Sequence, residues 1–409
     1  MQPRKSLLAL TIGLLCASSQ ASAITLEELA ERLEKVEKEN AALRAQLNQT
    51  TNQVETNTTA VETVADNVSN SGIVKAAEWV NKTTIGAYGE LHYNNLSGKG
   101  GASDKDEIDF HRFVLFFGHE FTDDIRFFSE LELEHSIAGD GKKGEIELEQ
   151  AYLDFDLNDK HTARAGLFLI PVGIINETHE PPTFYGTERN PVEKNIIPAT
   201  WWEAGAGAYG QLGGGFSYDA YIHSGLATTS GNNFAVRKGR QKASKAKAND
   251  LAATGRIKYT GIAGLELAFT AQYQEDISQI SSDGADSANM FETHAVWTTG
   301  PFTLKALYAM WDIEGSAVKA VGADKQDGFY LEPSFKINSK LGIFARYNQW
   351  DNQAGSNSGE AKDTSKEQWD IGVNWWPHED VVIKADYQRQ NHENRKDQNG
   401  VNLGIGYQF

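Results

Sequence analysis

Leu265-Glu-Leu-Ala-Phe-Thr-Ala-Gln-Tyr273 sets Leu265, Leu267, Phe269, Ala271 and Tyr273 on one side and Glu266, Thr270 and Gln272 on the other. A period of two is the pattern of a strand with one apolar and one wet face. The pattern returns at Phe329, Leu331, Phe335 and Ile337 against Glu332, Ser334 and Lys336. Working outward, sixteen such segments follow one another, the first near Thr83 and the last near Gly400. Their connections alternate in length. Turns such as Asn158-Asp-Lys160, Gly300-Pro301 and Asn338-Ser-Lys340 separate longer loops such as 171–198, 227–250 and 352–366. Short turns on one rim and long loops on the other describe a membrane β-barrel. A soluble sandwich has no reason to keep that alternation over sixteen strands.

The bulk properties agree. After the first 25 residues no stretch approaches 18 consecutive apolar residues, which excludes a bundle of membrane helices but not a barrel. A net charge of −18 argues against nucleic acid as a partner. Residues 1–23 read as a signal peptide: Arg4 and Lys5, an apolar run Leu7 to Leu15, then Ala21-Ser22-Ala23. The single cysteine, Cys16, falls inside it. A lipoprotein reading would want a small residue where Leu15 stands. The mature chain, from near Ile24, therefore has no thiol chemistry.

Residues 24–72 read as a coiled-coil stalk. Leu26, Leu29, Leu33, Val36, Asn40, Leu43, Leu47, Thr50, Val54, Asn57, Val61, Val64 and Val68 keep a 3,4 spacing without a break. That 3.5-residue period implies a left-handed coiled coil. Asn40 at an a position and Asn57 at a d position would specify register and strand number at some cost in stability. The string Val54 to Val61 resembles the Asn-at-d repeats of trimeric autotransporter stalks, whose amides surround a chloride ion; a solvated Asn on a fraying helix is the alternative. A link at 73–82 leads to the barrel, 83–409. An even strand number places both barrel ends on the short-turn side, so the stalk is expected in the periplasm. The last strand, Val401 to Phe409, alternates throughout and ends on an aromatic residue, which resembles the assembly signal of outer-membrane proteins.

On the face opposite the apolar stripes lie Arg126, Arg164, Arg256, Lys258, Lys305, Lys336, Arg346 and Lys384, with Glu130, Glu132, Glu134, Glu266, Glu292, Glu332, Asp370 and Asp386. Separated files of opposite sign would orient dipolar solutes; a merely solvated interior is the simpler reading. Arg237, Lys238, Arg240, Lys242, Lys245 and Lys247 fall within eleven residues of one long loop. They would funnel anions, bind lipopolysaccharide phosphates or form a solvated tip. Tyr93, Phe121, Trp201, Trp202, Trp297, Trp311, Trp350, Trp375, Trp376 and Tyr407 stand near segment ends, as interfacial girdles do. A ring stack for sugars at Trp201, Trp202 or Trp311 is the alternative. Alternation is hard to follow at Phe116-Phe117 and at Ala151-Tyr152.

The run Pro171 to Pro198 holds 28 residues and five prolines with no sustained period. A loop that long is functional or disordered, and its aromatic and charged content argues for order. It is expected to fold into the lumen, with Glu188, Arg189, Glu193 and Lys194 at the narrowest point; packing between subunits is the alternative. His111, His119, His223 and His294 sit on strands, but no nucleophile–base motif aligns with them and no metal-ligand spacing appears. No enzyme activity, metal or cofactor is expected.

Arg164-Ala-Gly-Leu-Phe168-Leu-Ile-Pro171-Val-Gly173, Pro181-Pro182, Tyr185-Gly-Thr-Glu188-Arg-Asn190 and Trp201-Trp-Glu-Ala-Gly205 together resemble the phosphate-selective porin O and P family. The resemblance spans roughly 83–409. It implies a homotrimeric, sixteen-stranded channel in the outer membrane of a Gram-negative bacterium. It also implies a third loop that constricts the lumen, and passive diffusion of small hydrophilic solutes, often anions. The lumen arginines here are sparser than the family's arginine ladder and are interspersed with acids, so phosphate selectivity does not follow. A saccharide-specific channel and a structural tether or adhesin are the remaining alternatives.

Overall fold

The computed structural model describes residues 25–69, 79–140, 143–280, 283–355, 364–392 and 396–409. Residues 1–23, read above as a signal peptide, and most of the expected link at 73–82 lie outside the described residues. Two units separate at Glu78 and Trp79.

The first unit carries one helix, α1, Leu26–Ser69. Its second half is rich in threonine, a weak helix former. Thr50, Thr56, Thr58 and Thr63 each bond the carbonyl four residues back, which satisfies the hydroxyl without breaking the helix. The seam residues Leu29, Leu33, Leu43, Leu47, Val54 and Val61 are all exposed on the single helix.

The second unit is a closed antiparallel barrel. Its strands are β1 Thr83–Lys99, β2 Lys105–Thr122, β3 Ile125–Glu134, β4 Ile146–Asn158, β5 His161–Leu169 and β6 Trp202–Gly213. Next come β7 Phe216–His223, β8 Ala252–Ile262, β9 Leu265–Gln274, β10 Ala288–Thr299 and β11 Phe302–Ile313. The circuit ends with β12 Lys325–Asn338, β13 Leu341–Asp351, β14 Lys366–His378, β15 Val381–His392 and β16 Asp397–Gln408. Pairing of Tyr88 with Gln408 through Lys99 with Asp397 joins β1 to β16, so no edge is left open. In the β8–β9 and β10–β11 turns Gly264 (φ 78°) and Gly300 (φ 54°) take the left-handed backbone conformation that glycine adopts without steric cost.

The sixteen segments and their alternation match the sequence reading. In β9, Ala268, Thr270, Gln272 and Gln274 are buried on the lumen side, while Leu267, Phe269 and Tyr273 face out. No helix among the described residues is long and apolar enough to cross a membrane. The strands do the crossing.

Two expectations are corrected. Phe116-Phe117 and Ala151-Tyr152 do not break the alternation. The register slips instead between Glu90 and Leu91, opposite His111, and between Glu130 and Leu131, opposite Glu149. These bulges turn an extra polar residue toward the lumen. The girdle assignment fails for Trp201, Trp202, Trp311, Trp350 and Trp376, all of which are buried. Trp201 and Trp311 lie 6.1 Å apart within one apolar cluster with Ile170, Ile196, Leu226 and Phe234. They pack long loops against the inner wall, because loops folded inward offer apolar surface there. Trp297 and Trp375 do face outward.

Candidate functional site

The loop 170–201 leaves β5 at the long-loop rim, where Ile170 N bonds Trp201 O at 3.0 Å. Ile170, Val172, Ile196 and Ile197 anchor its two arms in the apolar cluster. Its middle reaches the other end of the lumen. There Tyr185 packs with Phe344, Trp376 and Val382, and Trp376 Nε1 donates to Pro182 O at 3.3 Å. Trp376 lies just before the β14–β15 turn, so this segment runs most of the height of the barrel.

A loop inside a barrel must have its backbone polar groups satisfied. The lumen side chains do this. Asn374 Nδ2 donates to Phe184 O at 3.0 Å, Arg346 to Tyr185 O at 3.2 Å and Lys384 to Gly186 O at 2.8 Å. Asp386 accepts from Thr187 N at 2.7 Å. Gly186 takes φ 83° between Phe344 and Arg346, where a β-carbon would meet both.

The returning arm carries the four charged residues singled out from sequence, and they separate into two kinds. Glu193 is buried inside one helical turn, Pro191–Asn195, capped by Asn190. Its carboxylate accepts from Ile174 N (2.9 Å), Ile175 N (2.7 Å) and Tyr330 Oη (2.7 Å). Burial pushes the Glu193 carboxyl up despite these bonds. This residue holds the loop together. Glu188, Arg189 and Lys194 border open space without this set of bonds.

That space is a cavity of about 120 Å³ between the loop and the wall of β1 to β4. The wall contributes Glu90, Glu134, Glu147 and Glu149, with Arg112 among them. The loop side contributes Arg189 and Lys194, joined by Arg237, Arg240 and Lys242 from the loop between β7 and β8. Arg189 bonds Thr200 Oγ1 at 2.9 Å, Arg237 bonds Ala199 O at 2.7 Å and Arg240 bonds Thr200 O at 2.5 Å. Those partners are neutral. Lys194 is exposed to the lumen, and among the described residues none of Arg189, Lys194, Arg237 and Arg240 forms an ion pair. Lys242 pairs with Glu145 at 2.9 Å and with Glu147. Lys238, Lys245 and Lys247 are exposed.

Two histidines that the sequence reading passed over fasten the loop to the wall. His92 bridges Glu90 (3.1 Å) and Glu188 (3.3 Å), while His179 reaches Glu130 (3.3 Å) and Glu149 (3.6 Å). Although its burial favours the neutral acid, the bond from His92 holds Glu188 well below the usual carboxylate range. The parity of β1 places His92 beside Glu90 on the lumen face, and that signal was readable.

Several of the other lumen charges are paired, although Lys384 meets only the Gly186 carbonyl. Arg126 pairs with Asp156, Arg164 with Asp154 at 2.8 Å, and Arg256 with Asp219 at 2.8 Å and with Glu177. Lys258 meets Glu266 at 3.6 Å, and Arg346 meets Glu332 at 3.0 Å and Asp370 at 3.2 Å. Glu132 meets Arg112 at 3.3 Å, and Glu130 also accepts from Gln150 at 2.6 Å. Asn40 and Asn57 lie on α1, exposed like the rest of that helix.

Comparison with known proteins agrees with this geometry. A protein of Aquifex aeolicus (strain VF5) is 34% identical over 364 residues, 80% of each chain. The outer-membrane channel DcaP of Acinetobacter baumannii superposes with a TM-score of 0.56 at 14% identity, over 80% of this chain and 97% of that one. The anion-selective porin of Comamonas acidovorans gives 0.56 at 13% identity, over 80% and 100%. The phosphate-selective porin O and P model matches residues 85–409. A closed sixteen-stranded barrel with a polar, loop-filled lumen, matched over four-fifths of its length by that model, belongs to the phosphate-selective porin O and P family and is an outer-membrane channel of a Gram-negative bacterium.

Proposed function

We propose that the cavity between the inward loop and β1 to β4 is the constriction of a passive channel for small hydrophilic solutes, and that it favours anions. One observation carries the preference: Arg189, Lys194, Arg237 and Arg240 face this space with neutral partners only, whereas the acids across from them are mostly tied to Arg112, Lys242 or a histidine. Unpaired fixed charge in a narrow, low-dielectric passage sets the sign of the potential that a permeating ion meets. The arrangement also places cations and acids on opposite sides, which orients dipolar solutes in transit. A saccharide track finds no support in the tryptophans, because Trp201 and Trp311 are fully buried.

Lys194 is the cleanest probe, since it is exposed and its side chain holds nothing in place. In planar bilayers under a salt gradient, wild-type protein should reverse on the anion side, and Lys194→Glu should move the reversal potential toward cations. A wild-type channel selective for cations, or a variant with unchanged reversal, defeats the reading. Trimeric assembly and contact of Lys238, Lys245 and Lys247 with lipopolysaccharide phosphates belong to the same proposal. The apolar seam exposed along α1 supports the first, and the exposure of the three lysines supports the second.

A further inference from the structure

We propose that Asp109, His111 and His135 form a binding site for a divalent transition-metal ion on the lumen wall. Asp109 and His111 belong to β2, and His135 follows directly on β3. His111 Nδ1 lies 3.0 Å from Asp109 Oδ2, and His135 Nδ1 lies 2.8 Å from the same oxygen. One donor atom from each residue falls within 4.8 Å of the other two. An ion that holds nitrogen and oxygen donors at about 2.0–2.2 Å spaces them roughly 3 Å apart, so small movements suffice to close the set.

The fold holds these donors in place. His111 is the residue opposite the register slip between Glu90 and Leu91, and so it turns inward beside Asp109. His135 N bonds His111 O at 3.2 Å, which clamps the start of the β3–β4 loop against β2. His135 and Ser136 take φ 51° and 55°, a left-handed turn that aims the His135 ring back at Asp109. His92 stacks on His111 with ring centroids 4.6 Å apart and 14° between planes. Its own nitrogens are engaged by Glu90 and Glu188, so it braces the His111 ring and is not a ligand.

Two imidazoles and one carboxylate suit zinc, nickel or copper better than magnesium or calcium. The three side chains are 20–36% exposed, which gives an ion access and leaves coordination positions to lumen water. The group Glu130, Glu149 and His179 is a weaker candidate, with a single nitrogen and complete burial. Sequence spacing could not reveal the proposed site, because His135 arrives from the neighbouring strand.

The test is direct binding, and it does not depend on the selectivity reading above. Zinc titrated calorimetrically into the detergent-solubilised full chain should bind at one equivalent per chain, and cobalt should give the visible absorption of a nitrogen- and oxygen-ligated ion. Asp109→Asn and His135→Gln should each weaken zinc binding by at least about tenfold. Heat-modifiable gel mobility identifies variants whose barrel remains folded. His378→Gln, on the opposite rim beside Glu379 and Asp380, should bind as wild type does. Absence of stoichiometric binding in the wild type, full affinity in both folded site variants, or loss of binding in His378→Gln alone overturns the proposal.

Discussion

Tyr330, facing inward from β12, donates its hydroxyl to Glu193 Oε1 at 2.7 Å. This bond crosses from a loop rooted between β5 and β6 to a strand far around the ring. Glu193 also gathers the amides of Ile174 and Ile175, so a single carboxylate binds both arms of the loop and the wall. Each carboxylate oxygen accepts from two donors, so replacing Glu193 with glutamine sets an NH2 donor against one of these pairs, at a cost of about 1–3 kcal/mol. Glu193→Gln should lower the thermal midpoint of the folded barrel and increase current fluctuations in single channels. Tyr330→Phe removes one of the four hydrogen bonds that the carboxylate accepts and should show the same effects more weakly. Quiet traces from Glu193→Gln at wild-type conductance would show that the knot does not hold the loop.

Excision of residues 183–195, closed with a short glycine linker, should raise single-channel conductance. The excised segment carries Glu188, Arg189 and Lys194 and fills the lumen from the Trp376 end to the cavity. Conductance equal to wild type would mean that ions pass elsewhere.

Arg346 and Arg126 both pair with carboxylates, in very different surroundings. The Arg346 side chain is 2% exposed and meets Glu332, Asp370 and the loop carbonyl of Tyr185, whereas Arg126 is 34% exposed. Arg346→Met strands two buried acids and should cost about 3–5 kcal/mol. Arg126→Met should cost no more than about 1 kcal/mol. Denaturant unfolding in detergent compares them, and equal losses would remove the distinction between a buried and a solvated pair.

The triple change Lys238→Gln, Lys245→Gln and Lys247→Gln should reduce anion current in dilute salt and leave it unchanged in concentrated salt. These lysines are exposed at the long-loop rim, and the Debye length falls from about 10 Å at 0.1 M to about 3 Å at 1 M. A current loss independent of salt would point to a collapsed loop, and no loss at any salt would remove the funnel.

For the stalk, a peptide spanning 24–72 should sediment as a helical trimer, and Asn40→Ile should stabilise it while broadening its oligomer states. A monomeric peptide would leave the exposed Leu29, Leu33, Leu43 and Leu47 without an explanation.

The barrel was legible because its signals are local. Alternation in a stretch such as 265–273 depends only on neighbouring side chains and the strand's period of two. The sixteen segments and the alternating turns could therefore be read in order. The inward loop was legible in part. Its length and composition marked it, but Glu193, chosen for its charge, proved to be a buried knot, and of the two histidines that latch the loop to the wall only His92 had a local mark, its shared parity with Glu90. Tryptophan was misread for a related reason. Position near a strand end is local information, but the side of the wall on which Trp201, Trp311 and Trp350 pack is decided by loops that fold back inside.

By itself, then, the sequence determined the strands, their count, the order of short and long connections and the heptad seam, all of which follow from periodicities within a few tens of residues. Only the tertiary structure decided which lumen charges cancel and which remain available. Arg346 and Arg189 are the same residue type; one meets Glu332 and Asp370 across neighbouring strands, and the other meets only neutral partners beside open space. Electrostatic function depends on distances between groups remote in the chain, and barrel closure and the descent of one loop set those distances.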